Sequence, residues 1–222
     1  MKFSGEGVFR LNRAKQESYV HINELILGST SKFRAELLKR VGISRFRQIA
    51  SNYDESDSQA NDSKTLAKER SRMKGLHVPA GPNDLVISAD QVLEFDGHSY
   101  GKAEDAKQAF ERLKMLSGRT HFLQSAFHLI HIDEQGQASV VHEGLVTCSM
   151  RMRHLSDRDI RGYLELGEWI GCAGCYQYEN KGMLLFEDVD QSDAAIVGMP
   201  ILALANAMRH LGLDLNQFAS FP

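Results

Sequence analysis

The chain has 222 residues, of which 42% are hydrophobic and 25% are charged, and its formal net charge is −3. A chain of this length can bury a substantial core, either as one domain or as two lobes of one domain. Because binding along a nucleic acid requires a basic surface, the slight negative charge argues against a nucleic-acid partner. No apolar stretch approaches the length of a membrane span, so we expect no membrane partner either.

The N-terminal segment and the cysteines indicate the cellular compartment. Residues 1–22 carry charged side chains at intervals and no continuous apolar run, so no secretory signal is visible. Three cysteines are too few for a disulfide framework in a chain of this size. We therefore expect a cytoplasmic protein in which residues 1–22 form an N-terminal extension to a single domain over residues 23–222.

The first predicted elements are a strand, a very short turn and a helix. A buried strand is predicted at 25–28 and a helix from about Lys32 to Val41, with Gly42 placed to end it. The polar and acidic stretch 52–63 is typical of a loop, and a helix begins near Lys64.

The rest of the chain continues to mix strands with helices. A second buried strand is predicted at 84–90, with an acidic residue at its C-terminal end, and Asp96–Gly97 is a hairpin turn signal. A long antiparallel hairpin is predicted from 121–132 and 138–150. Three further helices are predicted from spacing and capping residues, at 103–118, at 156–167 and from Pro200 onward. This order favours an α/β fold around a mixed sheet.

The turn after the first strand has the composition of an anion site. Ser29, Thr30 and Ser31 supply hydroxyl donors, and Lys32 and Arg34 supply positive charge. A helix N-terminus at a strand end also offers unpaired N–H groups, which suit phosphate. The spacing is not that of a P-loop. The alternative is a cluster of N-capping serines on a solvated basic helix.

Acidic residues are placed to meet the same turn. Asp90 ends the second apolar strand, where a carboxylate is costly unless it binds a cation or handles a proton. Asp54 and Glu55 lie in the acidic loop. Carboxylates that face a phosphate-binding turn indicate Mg²⁺, because this hard cation bridges acids and phosphate oxygens. For the loop, the alternative is an ordinary solvated surface.

The pair Cys172 and Cys175 has the spacing of a redox or zinc motif. A four-coordinate zinc site would need two further ligands, and the sequence has no second cysteine pair. A redox pair of the thioredoxin type begins a helix, whereas the residues after Cys175 have little helical periodicity. A redox or zinc protein is retained as a third hypothesis.

Four segments, taken together and in order, resemble the Maf-like nucleotide pyrophosphatases, the septum-formation-inhibitor family. Residues 25–43 are similar to its opening strand and phosphate turn, and 54–56 to its Asp-Glu-Thr. Residues 87–121 are similar to its central block, and 172–200 to its closing Ala-Gly and Val-Gly-Leu-Pro signatures. The resemblance runs from about Glu24 to Leu213. It implies a mixed twisted sheet with flanking helices, a long antiparallel hairpin and a cleft between two lobes, similar to the inosine triphosphatase fold.

The resemblance also implies an activity and site residues. The family hydrolyses a nucleoside triphosphate between the α and β phosphates with Mg²⁺ or Mn²⁺, and its members are homodimers. The matching positions make Asp90 the general base, with Glu55 assisting, and these two acids hold the metal. The residues implied to hold the phosphates are Ser29, Ser31, Arg34, Arg70 and Lys102.

Within the family the chain is most similar to the branch that acts on 7-methyl-GTP. This resemblance rests on Gln91 in "SADQV", on "CAG" followed by Glu179, and on an aromatic residue, Phe33, in the phosphate turn. A methylated guanine carries positive charge, which favours aromatic stacking and a nearby carboxylate. Its N–H donors can pair with Glu179, and Gln91 offers both a donor and an acceptor. The alternative is that Phe33 and Tyr178 are core residues.

The chain departs from the family pattern at several positions. In the turn, Lys32 and Ala35 stand where the family has a proline and a second arginine. Arg70 replaces the lysine expected after the acidic loop, and Ala103 replaces a later proline. The loop over 56–65 is also shorter than usual. These departures support a second hypothesis, a nucleotide-binding module that has lost efficient turnover.

Overall fold

A computed structural model describes residues 22–58, 60, 62–190, 193–213 and 215–219. The predicted N-terminal extension lies outside these residues except for Ile22, and the predicted domain limits stay predictions. No helix in the described ranges is both long and apolar enough to cross a membrane.

The described residues form one mixed sheet of seven strands. The strands are β1 Leu25–Leu27, β2 Arg47–Gln48, β3 Leu85–Phe95, β4 His98–Tyr100, β5 Thr120–Ile132, β6 Ala138–Met152 and β7 Phe186–Val189. Their order is β2-β1-β3-β5-β6-β7, and β4 pairs with β3 off this path. β1 is parallel to β2 and to β3, and the remaining pairs are antiparallel. The predicted mixed α/β sheet and its long hairpin are therefore confirmed.

Helices flank the sheet and begin at polar caps. The α-helices are α1 Lys32–Arg40, α2 Ser63–Leu76, α3 Ala106–Leu116, α4 Asp157–Leu164, α5 Asp193–Ile196 and α6 Ile201–His210. Short 3₁₀ helices cover Glu55–Asp57, Lys181–Leu185 and Leu215–Phe218. The side chains of Ser31, Asp62, Asp105 and Ser156 accept hydrogen bonds from the first turns of α1 to α4, which satisfies donors that a helix start leaves unpaired. The helices predicted near Lys32, Lys64 and Ala103 and after the Ser156 cap are confirmed.

The second predicted strand is longer than expected. It was predicted to end at Asp90, but β3 continues to Phe95 because its last residues pair with β5 and with β4. Asp90 therefore lies in the middle of a strand, opposite Ala126 of β5. The parallel pairing with β1 ends earlier, at Leu27 and Ile87. Asp90 consequently lies beyond the C-terminal end of β1, where the chain turns into α1.

Helix α2 packs very closely on the sheet. A Cβ atom added to Gly75 would clash with the side chains of Ile130 and Ser88. The hydroxyl of Ser88 donates to the carbonyl of Ser71 at 2.8 Å, and the hydroxyl of Ser71 lies 3.0 Å from Nδ1 of the buried His128. These contacts determine the depth at which the side chains of α2 meet β3.

Candidate active site

The turn after β1 presents backbone and hydroxyl groups at the start of α1. The Ser31 hydroxyl accepts from the N–H of Arg34 at 3.4 Å, and the Ser29 hydroxyl accepts from the N–H of Ser31 at 3.2 Å. Within the described ranges no acceptor is bound to the N–H groups of Thr30, Lys32 or Phe33. Ser31 is thus the N-cap of α1, as the alternative reading of the serines expected, and the remaining N–H groups of the turn can donate to an anion.

Arg34 joins this turn to a distant segment. Its Nη1 donates to the Ser29 hydroxyl at 3.3 Å and its Nε donates to the carbonyl of Gly198 at 3.1 Å. Burial lowers the pKa of the guanidinium, while the negative charges of Asp90 and Glu55 act in the opposite direction. An arginine remains charged despite such burial, so a fixed positive charge lies between the turn and the two acids.

Lys74 connects the two predicted acidic residues. Its Nζ lies 2.7 Å from Oε1 of Glu55 and 2.5 Å from Oδ1 of Asp90. Arg70 was the cation expected here from the resemblance, but its Nη1 lies 3.9 Å from Oε2 of Glu55. The analysis of the sequence missed Lys74. The available signal was its position four residues after Arg70, which places both side chains on one face of α2.

The structure shifts the pKa values of the two carboxyl groups in opposite directions. Burial raises the pKa of Asp90, although Lys74 and Arg34 oppose this shift. Burial also acts to raise the pKa of Glu55, but the pKa is lowered overall by Lys74, Arg70 and Lys102. Such a separation is typical of sites in which one carboxylate handles a proton while another stays ionised.

Glu55 and Asp90 fit a hard divalent cation only if other groups complete its shell. No group of three or more His, Cys, Asp or Glu side chains in the described part of the chain could hold a metal. However, Oδ2 of Asp90 is buried and has no hydrogen-bond partner among those residues. Mg²⁺ is commonly held by one or two carboxylates together with phosphate oxygens and water. The donor set therefore fits Mg²⁺ or Mn²⁺ in the presence of a phosphate ligand.

Lys102 and Glu179 contribute charge to the same region from segments that follow β4 and α4. Lys102 is exposed and close enough to act on the pKa of both Glu55 and Cys172. The pKa of Glu179 is raised, mainly by partial burial and also by repulsion from Glu168 and from Glu36. Glu36 lies in the middle of α1, so Glu179 is near enough to this helix for the two carboxylates to repel each other.

The residues predicted to contact the nucleobase, Phe33 and Gln91, and the nearby Tyr178 have different surroundings. The amide nitrogen of Gln91 donates to the Ser125 hydroxyl at 2.7 Å and to the Ile196 carbonyl at 2.9 Å. Tyr178 is buried and lies edge-on to Phe186, so the alternative reading of Tyr178 as a core residue agrees with the structure. Phe33 is only partly buried, and it lies three residues before Glu36 on α1.

Cys172 and Cys175 lie in surroundings that disfavour the thiolate form. The thiols of Cys172 and Cys175 are both free, and burial raises the pKa of each to about 11. A redox or zinc cysteine needs a thiolate at neutral pH, which lowered rather than raised pKa values would provide. The third hypothesis therefore receives no support from these residues.

A cavity of about 530 Å³ lies elsewhere, at the N-terminal end of β1. It is lined by the segments 22–25 and 45–47 and by Gln217 and Phe218. None of the predicted site residues lines it. The candidate site is thus defined by its side-chain contacts and charges at the opposite end of β1.

The chain matches one protein family over most of its length. The family model described as Maf-like protein matches residues 24–211. A 7-methyl-GTP pyrophosphatase of Bartonella quintana is 36% identical over 196 residues, covering 85% of this chain and 96% of that protein. A dTTP/UTP pyrophosphatase of Thermococcus onnurineus is 35% identical, covering 86% and 99%. A nucleoside triphosphate pyrophosphatase of Nitrobacter hamburgensis is 36% identical, covering 85% and 94%.

A solved structure titled nucleoside-triphosphatase / dITP/XTP pyrophosphatase, from Mycobacterium abscessus, aligns at 18% identity with a TM-score of 0.34. It covers 60% of this chain and 75% of that one, and the likeness is too distant to support a conclusion. The family model and the curated relatives are sufficient to assign the chain to a family. They confirm the resemblance seen in the motifs, and the chain belongs to the Maf-like protein family.

Proposed function

We propose that the chain hydrolyses a nucleoside triphosphate to a nucleoside monophosphate and pyrophosphate, with 7-methyl-GTP as the preferred substrate. The carrying observation is Asp90, a buried carboxylate that lies among Lys74, Arg34 and Glu55 and whose Oδ2 has no hydrogen-bond partner among the described residues. The names of the curated relatives support the reaction class, since they include pyrophosphatases for 7-methyl-GTP and for dTTP/UTP.

In this proposal Asp90 is the general base. A carboxylate with a raised pKa is a stronger base than one with an ordinary pKa, and Oδ2 of Asp90, which no group in the described part of the chain contacts by a hydrogen bond, can accept a proton from water. The water oxygen attacks the α-phosphorus, the bond from that phosphorus to the bridging oxygen breaks, and pyrophosphate leaves. Glu55, whose pKa is lowered, stays ionised during this proton transfer.

Glu55 and Asp90 also hold Mg²⁺ or Mn²⁺ in this proposal, together with phosphate oxygens. When bound, the metal supplies positive charge that offsets the charge on the transferring phosphoryl group. Because Lys74 bridges the same two carboxylates, it supplies part of this charge from the chain itself. We add Lys74 to the cations expected from the sequence.

The phosphates are held by the turn and by cations around it. Ser29 and Ser31 shape the turn, and Arg34 is fixed between the turn and Gly198. Arg70 and Lys102 approach from α2 and from the segment after β4, since both lower the pKa of Glu55. A triphosphate tail would thus be surrounded by donors and positive charge on more than one side.

We assign the recognition of the nucleobase to Phe33, Gln91 and Glu179. A partly buried aromatic ring on α1, and a carboxylate whose pKa responds to Glu36 of the same helix, suit the delocalised positive charge of 7-methylguanine. The amide nitrogen of Gln91 already donates within the protein, which leaves its carbonyl oxygen to accept from an N–H of the base. A pyrimidine triphosphate is the competing substrate, because a relative is named for dTTP/UTP.

A nucleotide-binding module without efficient turnover is the second candidate. Ala35, at the position of the missing second arginine, is buried in the core, so no phosphate contact comes from it. In addition, Lys74 already neutralises the carboxylates that would hold a metal. These observations favour binding without turnover.

The two candidates are separated by one assay. The purified chain is incubated with Mg²⁺ or Mn²⁺ and with 7-methyl-GTP, GTP, CTP, UTP or dTTP, and pyrophosphate is measured. We expect release from 7-methyl-GTP at the highest rate, and loss of release in Asp90→Asn. Nucleotide binding without release would favour the binding module. Omission of metal tests the metal requirement, and light scattering tests the homodimer that the family resemblance implies.

A further inference from the structure

A glutamine on the edge strand contacts the phosphate turn from outside the site. Gln48 is the second residue of β2, and it lies beside Leu27 in the parallel pairing with β1. Its amide Nε2 donates to the carbonyl of Ser29 at 2.7 Å and to the carbonyl of Ser31 at 3.2 Å. One side chain therefore contacts two carbonyls, on either side of Thr30, in the turn that connects β1 to α1.

The contact with Ser29 decides where one neighbouring N–H group points. In a trans peptide the N–H lies on the opposite side from the C=O of the same unit, and no peptide in the described residues is cis. Because Gln48 holds the carbonyl of Ser29 on its own side, the N–H group of Thr30 points to the other side. The carbonyl of Ser31, and with it the N–H of Lys32, is also oriented by the first hydrogen bond of α1, which comes from the N–H of Ala35. The N–H groups of Thr30 and Lys32 both lack an acceptor in the described ranges.

We infer that Gln48 is a positioning residue, which aims the N–H group of Thr30 at the phosphates of the ligand. The inference rests on the proposed function in taking a polyphosphate as the anion. The carbonyl of Ser31 is also held by the N–H of Ala35 at 3.3 Å, whereas Gln48 is the only donor to the carbonyl of Ser29 among the described residues. A prearranged set of donors binds an anion more tightly than a turn that must first be ordered.

The test replaces Gln48 with methionine, which has a similar length and no donor. Gln137→Met is the matched control, because Gln137 is also exposed and lies in the hairpin turn between β5 and β6. Inorganic tripolyphosphate is the probe, titrated without metal by calorimetry. Amide exchange of the peptide covering residues 28–34 is followed by mass spectrometry in the full chain.

We expect Gln48→Met to weaken tripolyphosphate binding by roughly threefold to tenfold, as for one modest hydrogen bond, and to speed amide exchange in the turn. The KM for the nucleotide should rise by a similar factor, while kcat changes by less than about twofold. Gln137→Met should change none of these quantities.

Unchanged exchange in the turn, or unchanged tripolyphosphate affinity, would overturn the inference. Neither readout depends on catalysis. If no nucleotide yields pyrophosphate with the unaltered chain, the proposed function fails, while the role of Gln48 is still decided by exchange and tripolyphosphate binding.

Discussion

Lys74→Met removes the cation between two carboxylates, and its cost follows from their burial. Lys74 Nζ lies 2.5 Å from Asp90, whose side chain is 7% exposed, and 2.7 Å from Glu55, whose side chain is 47% exposed. Removal of one partner from a buried ion pair costs about 3–5 kcal/mol. Asp90 can relieve part of this cost by taking up a proton, so we expect a loss of about 3 kcal/mol in the free energy of unfolding.

Thermal unfolding in EDTA measures this effect. For a chain of this size, about 3 kcal/mol corresponds to a fall in Tm of roughly 6–12 °C. Because a divalent cation and the Lys74 ammonium both offset the charge of Glu55 and Asp90, excess Mg²⁺ should raise Tm more in the variant than in the unaltered chain.

Lys68→Met is the matched control on the same helix. Lys68 pairs with Glu143 at 3.1 Å, but both side chains are about half exposed, at 41% and 54%. An exposed pair of this kind contributes about 0–1 kcal/mol. If Lys74→Met costs no more than Lys68→Met, or if Mg²⁺ raises both Tm values equally, the reasoning about the bridged carboxylates is refuted.

Three further outcomes are expected. Asp90→Asn removes the proposed base, so kcat for pyrophosphate release should fall by roughly 10²–10⁴-fold while tripolyphosphate binding, measured by calorimetry, is retained. His121 is fully buried, and burial lowers its pKa to about 3, so its contribution to stability is complete above the unfolded pKa near 6.5 and is lost as the pH falls. His121→Gln should therefore lose about 3 kcal/mol less than the unaltered chain between about pH 7 and pH 4 in urea unfolding. Gly75→Ala should cost roughly 1–3 kcal/mol in the same measurement, because its Cβ would clash with Ser88.

Each of these expectations has a contrary result. An unchanged kcat in Asp90→Asn would exclude Asp90 as the base, and equal pH dependence in His121→Gln would assign the acid sensitivity to other groups. Gly162→Ala is the control for Gly75→Ala, since a Cβ at this position of α4 meets nothing within 4 Å. If both glycine variants change stability equally, close packing of α2 is not the cause.

The first turn of the site was predictable because its interactions are local. The hydroxyl of Ser31 caps a helix that begins at the next residue, and such a cap is visible in the order of residues. The long hairpin was predictable for the same reason, since alternation and a turn signal lie within a few residues of each other. The family motifs added the expected partners of this turn, Glu55 and Asp90.

Other features of the site depend on distances that no local pattern contains. Lys74, rather than Arg70, reaches Asp90 across 16 residues of sequence, because Gly75 lets α2 lie deep on β3. Asp90 looked like a strand end, but its strand continues because β4 and β5 offer further backbone partners.

Gln48 shows the same division between local and distant contacts. It lies in a two-residue strand with no periodicity to read, and its partners in the turn are 19 and 17 residues away. The sequence by itself determined the helices, the hairpin, the family and the chemical types present at the site. The tertiary structure decided which cation meets which acid and which way the turn faces, because hydrogen bonds and ion pairs require groups from distant segments to meet within a few ångströms.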